Sequence, residues 1–139
     1  MRYALLFTVC LLLIAAPARC LLLAPTMPEF LEGSDVEFTA TNDGSTTVEL
    51  GSSVPYYLVN IHTNEVISFL SLPIMTTMPP GATKHFVIRA GDIEPGTYRI
   101  HFHYYDEQYE SHEVTVLFTL TPEVPTRNIP MSVAKARYR

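Results

Sequence analysis

Three histidines and a run of acids sit close together near the end of this chain. His101 and His103 are two residues apart, and His112 follows across a short segment holding Asp106, Glu107 and Glu110. On an extended strand, residues two apart project to the same side, so both imidazoles of the His-x-His step would face one way. Imidazole is a good ligand for Cu(II) and Zn(II), and carboxylates can complete such a site. Met75 and Met78 could add thioether ligands suited to Cu(I). The competing reading is a polar outer sheet face, on which Thr97 and Arg99 stand beside the histidines, with the two methionines plugging one end of the core. On that reading no cofactor is expected, and copper held by His101, His103 and His112 is the alternative.

Catalysis finds little footing. There is no Gly-x-Ser-x-Gly elbow, no phosphate-binding Gly-x-x-x-x-Gly-Lys loop and no dinucleotide fingerprint. Asp106, Glu107 and Glu110 read as a solvated turn, so a non-enzymatic protein is expected. Tyr56, Tyr57, Tyr104, Tyr105 and Tyr109 offer rigid area with a polar end, which suits a contact surface. Alternate members of that set would instead be core.

The elements that must position these residues show a period of two. Tyr98, Ile100, Phe102 and Tyr104 share one face, opposite Thr97, Arg99, His101, His103 and Tyr105. Val114, Val116, Phe118 and Leu120 repeat the pattern against Thr115, Leu117 and Thr119. Pro95 to Leu120 is therefore two antiparallel strands joined by a charged loop.

Upstream, Leu21 to Ala24 reads as a first edge strand limited by Pro25 and Pro28. Val36, Phe38 and Ala40 alternate with polar neighbours. Asn42-Asp43-Gly44-Ser45 then suggests a reversal into Thr46 to Leu50, a hairpin. A second hairpin is expected from Val54 to Thr63 and Glu65 to Leu72, turning at Thr63-Asn64. Pro73, Pro79, Pro80 and Gly81 bracket an irregular loop around Met75 and Met78, and Thr83 to Ala90 is a further strand. Strands at this spacing, with no helical pattern, predict an all-β fold: a two-sheet antiparallel sandwich of about seven strands.

Arg2, the apolar run from Leu5 to Ala16 and the step Ala16-Pro17-Ala18 have the form of a secretory signal, with removal after Ala18. Pro17 and Arg19 stop the run short of the about 20 apolar residues of a spanning helix; an uncleaved anchor is the other option. Cleavage would discard Cys10 and leave Cys20 alone, which excludes an intramolecular disulfide. The expected organisation is a signal peptide over 1–18, an N-terminal extension or edge strand over 19–29, a sandwich over 30–121 and a tail over 122–139. Residues 19–121 hold thirteen acids and four bases, a net of −9, whereas the tail carries Arg127, Lys135, Arg137 and Arg139 against Glu123. An acidic body disfavours nucleic acid as a partner, while a basic tail permits contact with an anionic surface or a neighbouring acidic body.

The runs VEFTATNDGSTTVEL, PPGATKHFVIRA and IEPGTYRIHF together resemble the immunoglobulin-like or fibronectin-like sandwiches common in secreted prokaryotic proteins. The Cys-Trp-Cys signature of antibody-type domains is missing. A fainter similarity, through Gly96-Thr97-Tyr98, the acidic turn Asp106 to Glu110, His112 and the strand ending near Phe118, is to CopC-type copper sandwiches. This chain has Arg19 or Cys20 where their mature N-terminus carries a ligating His. The resemblance to immunoglobulin-like domains implies architecture and fixes no activity.

The expected function is contact: a secreted, periplasmic or cell-surface assembly subunit or binding module with protein partners, including copies of itself. Strand-edge contacts would come from Leu21, Leu22 and Leu23 or from Ile129 to Val133. Arg127, Lys135, Arg137 and Arg139 would supply the charge. The alternative is a copper-binding periplasmic or extracellular protein.

Overall fold

A computed structural model describes residues 21–124; the leader with Cys10, Cys20 and most of the basic tail lie outside the described residues. Ten strands occur: β1 (Leu22–Pro25), β2 (Glu29–Leu31), β3 (Val36–Thr41), β4 (Val48–Leu50), β5 (Tyr56–Asn60), β6 (Val66–Ser68), β7 (Thr76–Met78), β8 (Thr83–Ile88), β9 (Gly96–Tyr105) and β10 (Ser111–Thr121). They form an all-β sandwich of two sheets. The smaller has the order β1-β3-β8. The larger runs β2-β10-β9, and the far edge of β9 is shared between β5, opposite residues 98–102, and β4, opposite Tyr105.

Alternation decides which face is buried. In β3 Val36, Phe38 and Ala40 point inward, and in β9 Tyr98, Ile100, Phe102 and Tyr104 do so. Burying one face of each sheet against the other removes these side chains from water, worth roughly 1.5–3 kcal/mol for each large residue. At the centre four rings meet from both layers, Phe38 and Phe86 from the small sheet and Tyr56 and Phe102 from the large one, with centroids 5.0–6.5 Å apart.

The chain enters β9 through a fixed corner. The Tyr98 hydroxyl donates to the Glu94 carbonyl oxygen at 2.6 Å, tying the strand's start to the loop that precedes it. This is the arrangement called a tyrosine corner in sandwich domains. Tyr98→Phe is expected to lose about 1–1.5 kcal/mol, the net worth of one such hydrogen bond, read from urea denaturation. An unchanged midpoint would mean the corner is held by ring packing alone.

Three expectations are corrected. Residues 36–50 are not a hairpin: β3 lies in the small sheet and β4 in the large one, so Asn42 to Thr47 crosses between layers. Met78 belongs to a strand, because β7 pairs with β4 before Pro79 and Pro80 end it. The pairing is not wholly antiparallel either, since the short β2 runs parallel to the end of β10. These short strands also raise the number above seven. The hairpin of β5 and β6 is present, turning through Asn64 at φ 60° with Asn60 Oδ1 accepting the His62 and Thr63 amides.

Candidate functional site

The outer face of the large sheet carries the His-x-His step. His101 and His103 both point away from the core, and Glu113, directly opposite His103, lies between them. Its carboxylate is 2.7 Å from His101 Nδ1 and 3.4 Å from His103 Nε2. Tyr57 on β5 stacks on both rings, 4.8 Å from His101 and 5.6 Å from His103.

His112 is elsewhere. It pairs with Tyr104, an inward residue, and so projects to the face opposite His101 and His103. The three histidines expected to form one metal set are therefore not brought together. His112 stacks on Tyr104 at 5.3 Å and its Nε2 lies 2.7 Å from Asp106 Oδ2. Asp106 also accepts the amides of Gln108 and Glu110 through Oδ1. The His112 hydrogen bond first, and then the backbone amides, hold the Asp106 carboxyl below its ordinary value. Every ion pair found among the described residues joins a histidine to a carboxylate; the fourth is His85 with Glu37.

The remaining candidates divide. Met78 is buried and Met75 exposed, so they do not form a thioether pair beside the histidines. Tyr56 and Tyr104 are core; burial, assisted by the Asp92 charge, pushes the Tyr56 hydroxyl up to about 12. Tyr57, Tyr105 and Tyr109 reach the surface. Leu21 and Leu23 pack into the chain's own core and β1 already pairs with β3, which leaves Leu22, 48% exposed, as the outward residue of that trio. β1 is an edge strand of the small sheet, paired with β3 on one side. Arg127, Lys135, Arg137 and Arg139 fall outside the described residues.

Two features escaped the sequence reading. One is an edge. Thr119 donates its amide to Pro28, and Thr121 accepts from Glu32, so odd-numbered residues of β10 turn their backbone groups away from β9. By the same alternation Ser111, Glu113, Thr115 and Leu117 aim theirs at an edge that no described strand occupies. The inward side chains record the difference: Phe118 and Leu120, beside β2, are buried, whereas Val114 and Val116, beyond it, are only partly so.

The other is an apolar loop after β6. Leu70 is 95% exposed, and Leu72, Ile74 and Met75 are exposed with it. The loop is nonetheless held in place: Ser53 and Leu72 exchange hydrogen bonds of 2.9 Å, and Ser71 Oγ accepts the Val54 amide. At its base is a hollow of about 310 Å³, lined by Phe69, Val54, Tyr57, His103 and Tyr105 among others. Gly51 is required there, since a Cβ would meet the Tyr105 ring at 2.8 Å. One signal was available: residues 66–83 contain no charged side chain.

No protein-family model matches the chain, and no curated protein matches it. Among solved structures, the periplasmic chaperone SfaE aligns over 79% of this chain and 62% of its own, at 16% identity and a TM-score of 0.50. The chain thus spans less than two thirds of that chaperone's length. A Northeast Structural Genomics Consortium target, SoR45, aligns over 77% of this chain and 90% of its own at 15% identity, TM-score 0.48. A PapD-like domain of human CEP192 covers 77% and 86% at 16% identity, TM-score 0.31. The fold is an immunoglobulin-like β-sandwich. Similarity at this level speaks to fold alone. The CopC resemblance gains no support from it.

Proposed function

We propose that this protein is a secreted, non-catalytic contact module that captures a strand from a protein partner along the open edge of β10. The observation that carries the reading is the half-covered stretch Ser111 to Leu117. Its outward backbone groups have no partner strand among the described residues, and Val114 and Val116 are left partly exposed where β2 stops. An added strand would satisfy those groups and cover the two valines with its own alternate side chains. The exposed Leu70, Leu72, Ile74 and Met75 of the uncharged loop after β6 offer a second contact area of the kind that marks interaction surfaces. Secretion rests on the signal-like form of residues 1–18.

The tail of a second copy is the first partner to test, because Ile129 to Val133 is a largely apolar run and the basic residues around it suit an acidic body. Thr115→Pro is the informative variant: the amide it removes points to the open edge, so the ladder to β9 survives. Sedimentation of the purified chain should show concentration-dependent association, weakened at least about tenfold by Thr115→Pro and by removal of residues 122–139. A chain monomeric at every concentration sinks self-assembly. Association indifferent to Thr115→Pro sinks the β10 edge, and association that survives loss of the tail removes the tail's role.

A further inference from the structure

We propose that the turn between β9 and β10 is a zinc-type divalent metal site with three protein ligands: His112 Nε2, Asp106 Oδ2 and a carboxylate oxygen of Glu110. Ligand atoms from these three residues all lie within 4.8 Å of one another. One nitrogen and two oxygens leave a fourth position for water, a donor set within the Zn(II) range.

The set is presented by the fold. Asp106 Oδ1 is held by the Gln108 and Glu110 amides, both at 2.9 Å, which directs Oδ2 to His112. The His112 ring is steadied by stacking on Tyr104, whose own position is fixed by burial in the core. The Glu110 side chain is exposed and has room to swing. Two ligands on one tetrahedral ion with arms of about 2.0–2.1 Å stand roughly 3.3 Å apart. The His112–Asp106 separation of 2.7 Å need open only by about that difference. Binding frees Nε2 of its proton: from the imidazolium the proton goes to solvent, and from the neutral ring it moves to Nδ1.

A second observation independent of the donor set is the surrounding charge. Beside the turn is a hollow of about 200 Å³ lined by Glu49, Asp106, Glu107, Thr47 and Tyr109. The fixed cations among the described residues are Lys84, Arg89 and Arg99. Arg99 sits opposite Val59 and Leu117, at the far end of β9 from the turn, while Lys84 lies on β8 and Arg89 directly follows it. No described lysine or arginine pairs with the turn's carboxylates, so a bound cation would supply the missing complement. The imidazole nitrogen favours zinc over magnesium, which prefers six oxygens.

The test is a calorimetric titration of the metal-stripped chain with Zn²⁺, mapped by NMR. Saturable one-to-one binding is expected, with shifts centred on residues 104–113. Glu110→Gln, which touches no structural hydrogen bond of the side chain, should weaken binding at least tenfold with the fold unchanged, and His112→Gln should do the same or more. His101→Gln and His103→Gln should leave the affinity within twofold, and Mg²⁺ at equal concentration should give no shifts. Absence of saturable binding overturns the site. So does binding that follows His101 and His103, that maps to Cys20, or that Mg²⁺ reproduces.

Discussion

Asn42→Leu is expected to destabilise the domain by about 3–5 kcal/mol, a large part of the roughly 5–15 kcal/mol available to a domain of this size. Asn42 is fully buried where the chain crosses from the small sheet to the large one. Its side-chain amide donates to the Thr46 and Met78 carbonyls, both at 2.8 Å, and its Oδ1 accepts the Gly44 amide. Its backbone bonds to Ala82 and Gly81 besides. One residue thus joins the crossing loop, the end of β7 and the turn before β8. Leucine has similar volume and no polar atoms, so three backbone groups would be stranded away from water, at about 1–3 kcal/mol for each that stays dry. Asn42→Asp should be worse at neutral pH, because a carboxylate would face two carbonyl oxygens. Urea denaturation checks both; a loss under about 1 kcal/mol for leucine would show that water reaches the crossing.

The same residue shows where the sequence stops being readable. Asn-Asp-Gly-Ser is a local signal for a change of direction, and it occurs at one. Whether the chain folds back beside β3 or crosses to the other layer depends on partners far along the chain. Here they are β8 for β3, and β7 with β9 for β4. Nothing within residues 36–50 encodes those partners. The long alternating pair β9 and β10, by contrast, was legible in full, because ten consecutive residue pairs obey one period and a five-residue loop joins them.

The histidines illustrate a finer limit. That His101 and His103 share a face follows from their spacing of two. The face taken by His112 follows from its parity with the inward Val114 and Val116 on the same strand, which grouping the three histidines by proximity overlooks. Tyr105 pairs with Ser111, so odd residues of β9 oppose odd residues of β10, and His112 joins Tyr104. The exposed loop after β6 was hidden for a related reason. Its apolar residues invite assignment to a buried strand, but β6 ends at Ser68 and the Ser53–Leu72 exchange leads the chain out of the sheet.

Phe102→Ala should have the other large effect, a loss of about 3–5 kcal/mol, the range for truncating a buried aromatic. Phe102 is fully buried and its ring meets Phe38, Phe86 and Tyr56 at 6.5, 5.3 and 6.4 Å. Those contacts join both sheets, so the cavity would open at the seam between layers, where neither sheet can close it without moving as a whole. Phe102 also lies between His101 and His103 in the strand, on the opposite face. Fraying of β9 would therefore disturb the outer-face stack with Tyr57 and the register that sets His112 beside Asp106. Near-UV circular dichroism and urea denaturation of Phe102→Ala should report the packing loss. A double-mutant cycle with Phe38→Leu should give a coupling of about 0.5–3 kcal/mol across the seam. Additive losses within about 0.3 kcal/mol would mean the four rings act separately, and the sheets are then held chiefly by the aliphatic residues around them.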